Sequence, residues 1–173
     1  MSLRNLAAAV AAAALLPAAS AAAAPARTGE AKTIGDKYTW SSDVAVGAVY
    51  GSPVAPKAPH CSPIFSCDDT LIKVDEYGDV QFDIAGVGVQ GQDTLKDIDL
   101  HVYASDATGA QGDLIAESTG STASESVYLA DMDPGYYFVE VDWFLGVGSY
   151  DGTVQLLPPT PPDPPEEAEV PAE

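Results

Sequence analysis

Two carboxylates, Asp97 and Asp99, stand two residues apart in DIDLHVYASDATG, where apolar and polar residues alternate as in a strand. At this spacing both side chains project from one face, with Cα atoms roughly 6.5–7 Å apart. That separation is close to the spacing of glycosidase carboxyl groups. Parallel acids on one strand do not flank a substrate bond from opposite sides, and nothing nearby in the sequence is expected to desolvate one of them into a general acid. The pair therefore does not predict catalysis.

Other catalytic patterns are also missing from the sequence. It contains neither a G-x-S-x-G nucleophile elbow nor an H-E-x-x-H zinc motif. The two histidines are His60, in a proline-rich stretch, and His101, which we expect as a surface imidazole on the acidic strand face. We therefore expect no catalytic residues and no enzymatic activity.

Calcium is the cofactor that the acidic residues favour, because hard cations prefer several carboxylate and carbonyl oxygens. Asp93, Asp97 and Asp99 are close in sequence, and Glu125 reaches them if its strand pairs nearby. The EF-hand pattern D-x-D-x-D-G is absent. The alternative is an acidic strand face whose carboxylates anchor turns through backbone hydrogen bonds.

The charge of the chain restricts its partners. With 26 acidic against 7 basic residues, the formal net charge is −19, which argues against nucleic acid and against anionic lipid surfaces. Residues 1–26 have the basic Arg4, an alanine-rich apolar run and small residues at APA, as a signal peptide does. We therefore expect a secreted, extracellular protein with no membrane insertion after signal cleavage.

The two cysteines, Cys61 and Cys67, predict one disulfide, because an even number of cysteines in an exported protein indicates pairing. A zinc site that combines them with His60 is the alternative. It lacks paired C-x-x-C spacing and an evident fourth ligand.

The rest of the chain divides into an N-terminal segment with the disulfide loop (27–67), a β-sandwich domain (68–157) and an acidic, proline-rich disordered tail (158–173). Period-two alternation marks the domain's strands, most clearly in DVQFDIAGV, KDIDLHVYA and GYYFVEVDW. The predicted fold is all-β, an antiparallel β-sandwich or jelly roll of seven to eight strands. In the N-terminal segment, KYTW predicts one strand, and Trp40 is expected to cover an end of the core.

Aromatic residues offer a second kind of site. Tyr136 and Phe138 should face away from the core side of their strand, and Phe144 follows in the same segment. An exposed aromatic strip of this kind stacks on sugars or binds a protein. The alternative is that a neighbouring strand or loop covers this face.

The segment DIDLHVYASDATG, followed by ESVYLADMDPGYYFVEVDWFLGVGSYDGTVQL, resembles the bacterial pre-peptidase C-terminal domain family over about residues 68–157. The shared features are an Asp-x-Asp-Leu-x-Val-Tyr strand, a Glu-Ser-Val strand and a Pro-Gly-x-Tyr turn into a Val-x-Val strand. The resemblance implies a jelly-roll-like sandwich of the kind found beside secreted peptidase domains, some relatives of which bind calcium. This chain has no peptidase domain, so a free-standing version is expected.

Together these observations predict a secreted, non-catalytic binding or accessory module whose partner is an extracellular polymer or a secreted protein, with calcium as a candidate stabilising cation. The alternative is a structural or envelope-associated protein that assembles with itself. A secreted hydrolase is the distant alternative.

Overall fold

The computed structural model describes residues 25–42, 45–46, 67–88 and 97–161. The predictions that concern the signal peptide up to residue 24, His60, Cys61, Asp93 and the tail beyond residue 161 lie outside these ranges. Within them the chain is all-β. The described residues include no helix long and apolar enough to cross a membrane.

The described residues contain ten strands, which form two sheets. Their bounds are β1 Arg27–Ala31, β2 Lys37–Ser41, β3 Ala45–Val46, β4 Cys67–Val74, β5 Gly78–Gly88, β6 Asp97–Ser105, β7 Gln111–Ser118, β8 Ser124–Met132, β9 Gly135–Leu145 and β10 Val147–Leu157. The first sheet has the order β1-β4-β9-β6-β7 and the second β2-β10-β5-β8, with β3 also paired to β10. All pairs are antiparallel except β1 with β4.

This architecture confirms the predicted all-β sandwich, with ten strands where seven to eight were expected. The additional strands come from the segment 27–67, because β1 and β2 each add an edge to one sheet. The sandwich therefore includes part of the segment that the sequence analysis placed before it.

The core lies between the sheets and follows the period-two pattern of the strands. Phe82, Ile98, Val139 and Tyr150 have no exposed surface, and burial of a side chain of this size stabilises the fold by roughly 1.5–3 kcal/mol. Trp40 joins this core and donates its indole N–H to the Tyr150 hydroxyl at 3.2 Å. The expectation that Trp40 covers the core is confirmed.

The turn between β1 and β2 fixes the edge of the sandwich. The Asp36 carboxylate accepts hydrogen bonds from the backbone N–H groups of Lys32 and Thr33, each at 3.0 Å. These bonds lower the pKa of Asp36. Gly35 has a φ of 97°, in the left-handed region that favours glycine. The turn thus carries the chain from the first sheet to the second in a defined geometry.

Asp79 holds the chain where it leaves the sandwich. Its carboxylate accepts hydrogen bonds from the hydroxyls of Thr160 and Tyr128, and from the backbone N–H of Asp131 at 2.9 Å. Hydrogen bonding, first from Thr160, lowers the pKa of Asp79. Thr160, at the start of the predicted disordered tail, is therefore fixed against the second sheet.

Candidate ligand-binding groove and acidic face

A groove of about 660 Å³ opens where the edge strands β1 and β2 meet. We call it the edge groove. Its lining includes three lysines, two tyrosines and two acids: Lys32, Lys37, Lys73, Tyr38, Tyr136, Glu30 and Asp36. Its volume is within the range of roughly 300–1,000 Å³ that ligand sites occupy.

Strand register brings these residues together. Glu30 is paired with Lys73 between β1 and β4, and Lys73 is paired with Tyr136 between β4 and β9. The three side chains therefore form one row on the outer face of the first sheet. Lys37 and Tyr38 approach this row from β2 of the second sheet.

Tyr38 is held in place by close packing on β1. A Cβ atom at Gly29 would lie only 2.2 Å from the Tyr38 ring, so glycine is required for this approach. The Tyr38 hydroxyl donates a hydrogen bond to the Thr28 carbonyl at 3.1 Å. The ring also stacks on Trp40, with centroids 5.8 Å apart and planes at 21°. One wall of the groove is therefore a preorganised aromatic ring.

Ion pairs connect the charged groups of the groove. The Glu30 carboxylate lies 3.2 Å from the ammonium groups of both Lys32 and Lys73, and Lys73 also lies 2.6 Å from Asp75. Hydrogen bonds to Asp75 and then Glu30 raise the pKa of Lys73. Every lysine and arginine in the described ranges lies on β1, β2, β4 or the turn after β1. Three of the four cationic side chains in the described ranges therefore line one groove.

The predicted aromatic strip is not formed. Tyr136 lines the edge groove and Phe144 is 50% exposed, but Phe138 is only 4% exposed. Phe138 is buried because it lies between Leu71 and Tyr103 of the neighbouring strands and packs edge-to-face on Tyr103, with centroids 6.4 Å apart. Phe138 therefore cannot serve as a binding platform. Of the three predicted residues, only Tyr136 lines the edge groove, where its neighbours are not Phe138 and Phe144.

Further along the outer face of the first sheet, acidic residues and one histidine are grouped across four strands. One row contains Asp69, Glu140, His101 and Glu117, and the adjacent row contains Asp142 and Asp99. We call this group the acidic face. His101 is 0% exposed, with Nδ1 3.4 Å from Glu117 and Nε2 3.9 Å from Asp142. The expectation of a surface imidazole is therefore wrong, because β7 and β9 place side chains on both sides of it.

Burial raises the pKa of Asp142 to about 8, of Asp99 to about 7 and of Asp69 to about 6. Neighbouring carboxylates add to each shift, first Glu140 for Asp142 and for Asp69, and Asp97 for Asp99. From the sequence, we expected no desolvation near Asp99. That was wrong, since the strand that packs beside Asp99 is β9, more than thirty residues later in the chain.

The predicted calcium ligands are partly described. Glu125 is buried and accepts hydrogen bonds from the hydroxyls of Ser118 and Thr122. Burial, and then the Glu125 charge, raise the pKa of Asp97, whose Oδ1 is buried without a hydrogen-bond partner. The donor atoms suit calcium, but among the described residues no group of three or more His, Cys, Asp or Glu side chains could hold a metal ion. A site here depends on Asp93, outside the described ranges, and calcium stays a prediction.

Cys67 begins β4 opposite Asp142, and no described cysteine is free. Its predicted partner Cys61 lies outside the described residues. The pairing therefore stays a prediction.

The edge groove is not evident from the sequence. The three lysines are 5 and 36 residues apart in sequence, and only strand pairing brings them together. One signal was present: in a chain with 7 basic residues, three of them precede residue 40 after the signal peptide. That clustering indicates a local departure from the acidic surface.

No family model matches the chain, and no curated protein does. Among solved structures, it is similar to the pre-peptidase C-terminal domain of a collagenase from Bacillus anthracis, with a TM-score of 0.43 and 11% identity over 74% of this chain and 94% of that one. It is also similar to PliG, a periplasmic inhibitor of g-type lysozyme from Aeromonas hydrophila, with a TM-score of 0.38 and 10% identity over 75% and 97%. At these identities the likeness concerns the fold alone.

Proposed function

We propose that this protein is an exported, non-catalytic binding module and that the edge groove is its ligand site. The carrying observation is the gathering of Lys32, Lys37 and Lys73 with two tyrosine rings around one groove, in a chain of net charge −19. Binding sites combine a concave shape and aromatic walls with a few convergent polar groups.

A binding role, and not a catalytic one, is supported by the position of the titratable groups. His101 is fully buried within the acidic face, so its ring nitrogens do not reach a dissolved substrate. The acids of the groove are already engaged, Glu30 with two lysines and Asp36 with the backbone of its own turn. Export to the extracellular space is supported by the signal-peptide pattern of residues 1–26.

We also propose calcium, bound by Asp93, Asp97, Asp99 and Glu125, as a stabilising cation. The support is the buried, unpartnered oxygen of Asp97 and the raised pKa values of Asp97 and Asp99. Bound calcium would supply positive charge to these carboxylates.

Retention on insoluble polymers tests the binding proposal. The exported chain, residues 27–173, is incubated with cellulose, with chitin and with a fibrous protein, and the retained fraction is measured after washing. We expect at least one polymer to retain it, and Tyr136→Ala or Lys37→Gln to reduce retention several-fold because each removes a wall of the groove. Phe144→Ala is the matched control, since it removes an exposed aromatic side chain from the same strand outside the groove.

Equal loss in Phe144→Ala and Tyr136→Ala would contradict the assignment of the site. Retention by no polymer, together with an apparent mass that rises with concentration, would favour the self-assembly alternative. In that case the exposed Leu114 and Ile115 on the edge strand β7 would be the natural contact.

A further inference from the structure

We infer that the ligand of the edge groove is a neutral carbohydrate, bound as a short segment of a polysaccharide. This inference rests on the proposed function, since it names the class of molecule that the same groove accepts. Three properties of the groove support it: ammonium groups with adjacent carboxylates, paired donors and acceptors, and two aromatic rings, of which Tyr38 is held in place by packing.

The charges in and beside the groove balance. The lining carries three ammonium groups, those of Lys32, Lys37 and Lys73, and two carboxylates, those of Glu30 and Asp36. A third carboxylate, that of Asp75, lies outside the lining and pairs with Lys73 at 2.6 Å. A chain of net charge −19 repels anions, and the groove together with Asp75 has no excess of positive charge to offset that repulsion. A neutral ligand meets no such barrier.

The ion pairs of Glu30 with Lys32 and with Lys73 present hydrogen-bond donors and acceptors side by side. A sugar hydroxyl accepts from an ammonium group and donates to a carboxylate, so an adjacent Lys and Glu satisfy both functions of one hydroxyl. The side chains of Glu30, Lys32 and Lys73 keep 37%, 66% and 39% of their surface exposed, so their polar groups remain accessible while paired. This arrangement suits a ligand with many hydroxyl groups.

The tyrosines supply the apolar contact that a sugar ring needs. Tyr38 is fixed over Gly29 and against Trp40, and Tyr136 stands on β9 beside Lys73. Rigid aromatic rings lose little conformational entropy on binding, and they pack against the C–H face of a sugar while leaving its hydroxyls to the charged groups. The groove volume accommodates a short oligosaccharide.

Titration with soluble oligosaccharides tests the inference. The exported chain is titrated calorimetrically with cellohexaose and chitohexaose as neutral probes, with a galacturonic acid hexamer as the acidic probe and with a synthetic peptide of residues 158–173 as a proline-rich acidic peptide. We expect a neutral hexamer to bind most tightly, and Tyr136→Ala to weaken it about tenfold. Phe144→Ala should bind as the wild type does. Because the ligand is uncharged, raising sodium chloride from about 0.05 M to about 0.5 M should change Kd by less than about twofold.

The outcomes separate the inference from the proposed function. Tighter, salt-sensitive binding of the galacturonic acid hexamer or of the peptide, lost in Tyr136→Ala, would overturn the neutral carbohydrate and leave the groove as the binding site. If a neutral hexamer binds Tyr136→Ala and Lys37→Gln as tightly as it binds the wild type, the groove is not the binding site. Absence of binding by every oligosaccharide, with groove-dependent retention on the fibrous protein, would overturn the carbohydrate alone.

Discussion

The free energy of unfolding is expected to fall as the pH rises from about 5 to about 9. Burial raises the pKa of Asp69 to about 6, of Asp99 to about 7 and of Asp142 to about 8. The folded state therefore holds more protons than the unfolded state in this window, where unfolded aspartates are ionised. Stability that is fully present below the ordinary pKa of aspartate is lost as the pH rises through these folded values.

The free energy of unfolding is expected to fall by a total on the order of 4 kcal/mol. This figure is reduced for solvent screening, because Asp69 and Asp99 are only partly buried. For a domain of this size it corresponds to a fall in Tm of more than about 10 °C. Below about pH 4 the sign reverses, because hydrogen bonds lower the pKa values of Asp36, Asp79 and Asp106, and their stabilisation is lost on protonation. Calorimetric melts across this range measure the whole profile.

Two variants separate the acidic face from general charge repulsion. Asp142→Asn should flatten the profile above about pH 7, because it removes the carboxyl whose pKa is raised most. Asp113→Asn is the matched control: it removes one exposed charge from β7 and should leave the slope unchanged. A Tm that stays constant or rises between about pH 5 and about pH 9 in the wild type would contradict the account of a buried acidic face.

In chelator at about pH 8, Asp99→Asn is expected to raise the Tm by a few degrees. Asp99 is half-buried beside the charges of Asp97, Glu125 and Glu117, so a neutral side chain of the same shape relieves desolvation and repulsion worth about 1 kcal/mol after solvent screening. Calcium in millimolar amounts should stabilise the wild type by about 2.7 kcal/mol at roughly 100 times its dissociation constant. It should leave the Tm of Asp99→Asn nearly unchanged.

The two parts of this prediction fail separately. If calcium leaves the wild-type Tm unchanged, the calcium proposal is wrong and the edge groove is unaffected. If Asp99→Asn lowers the Tm in chelator, the electrostatic account of Asp99 is wrong, since its carboxylate would then be making a favourable contact. Asp113→Asn again serves as the control for removal of a single charge.

The strands were predictable because period-two alternation is a local property of the chain. Phe82 and Val139 occupy the core positions that the alternation assigns to them. The placement of Phe138 and His101 was not predictable in the same way. Both lie on the outward face of their strands, and their burial depends on side chains of the strands paired on either side.

The same distinction applies to the site. Tyr136 was identified as a binding residue from its position in an aromatic run, yet its partners in the groove, Lys73 and Tyr38, belong to β4 and β2. A parallel pairing of β1 with β4 brings Glu30 beside Lys73, and no local pattern encodes that register. Residue types revealed one wall of the groove, and only the sheet order revealed the rest.

The most direct test of the central claim is to map ligand contacts by the amide NMR shifts of an isotope-labelled chain of residues 27–173 during titration with cellohexaose. The edge groove account predicts that the shifts concentrate at Glu30, Lys37, Lys73 and Tyr136, and that they disappear in Tyr136→Ala. Shifts that concentrate instead around Phe144, or around Tyr128 on the second sheet, would contradict it.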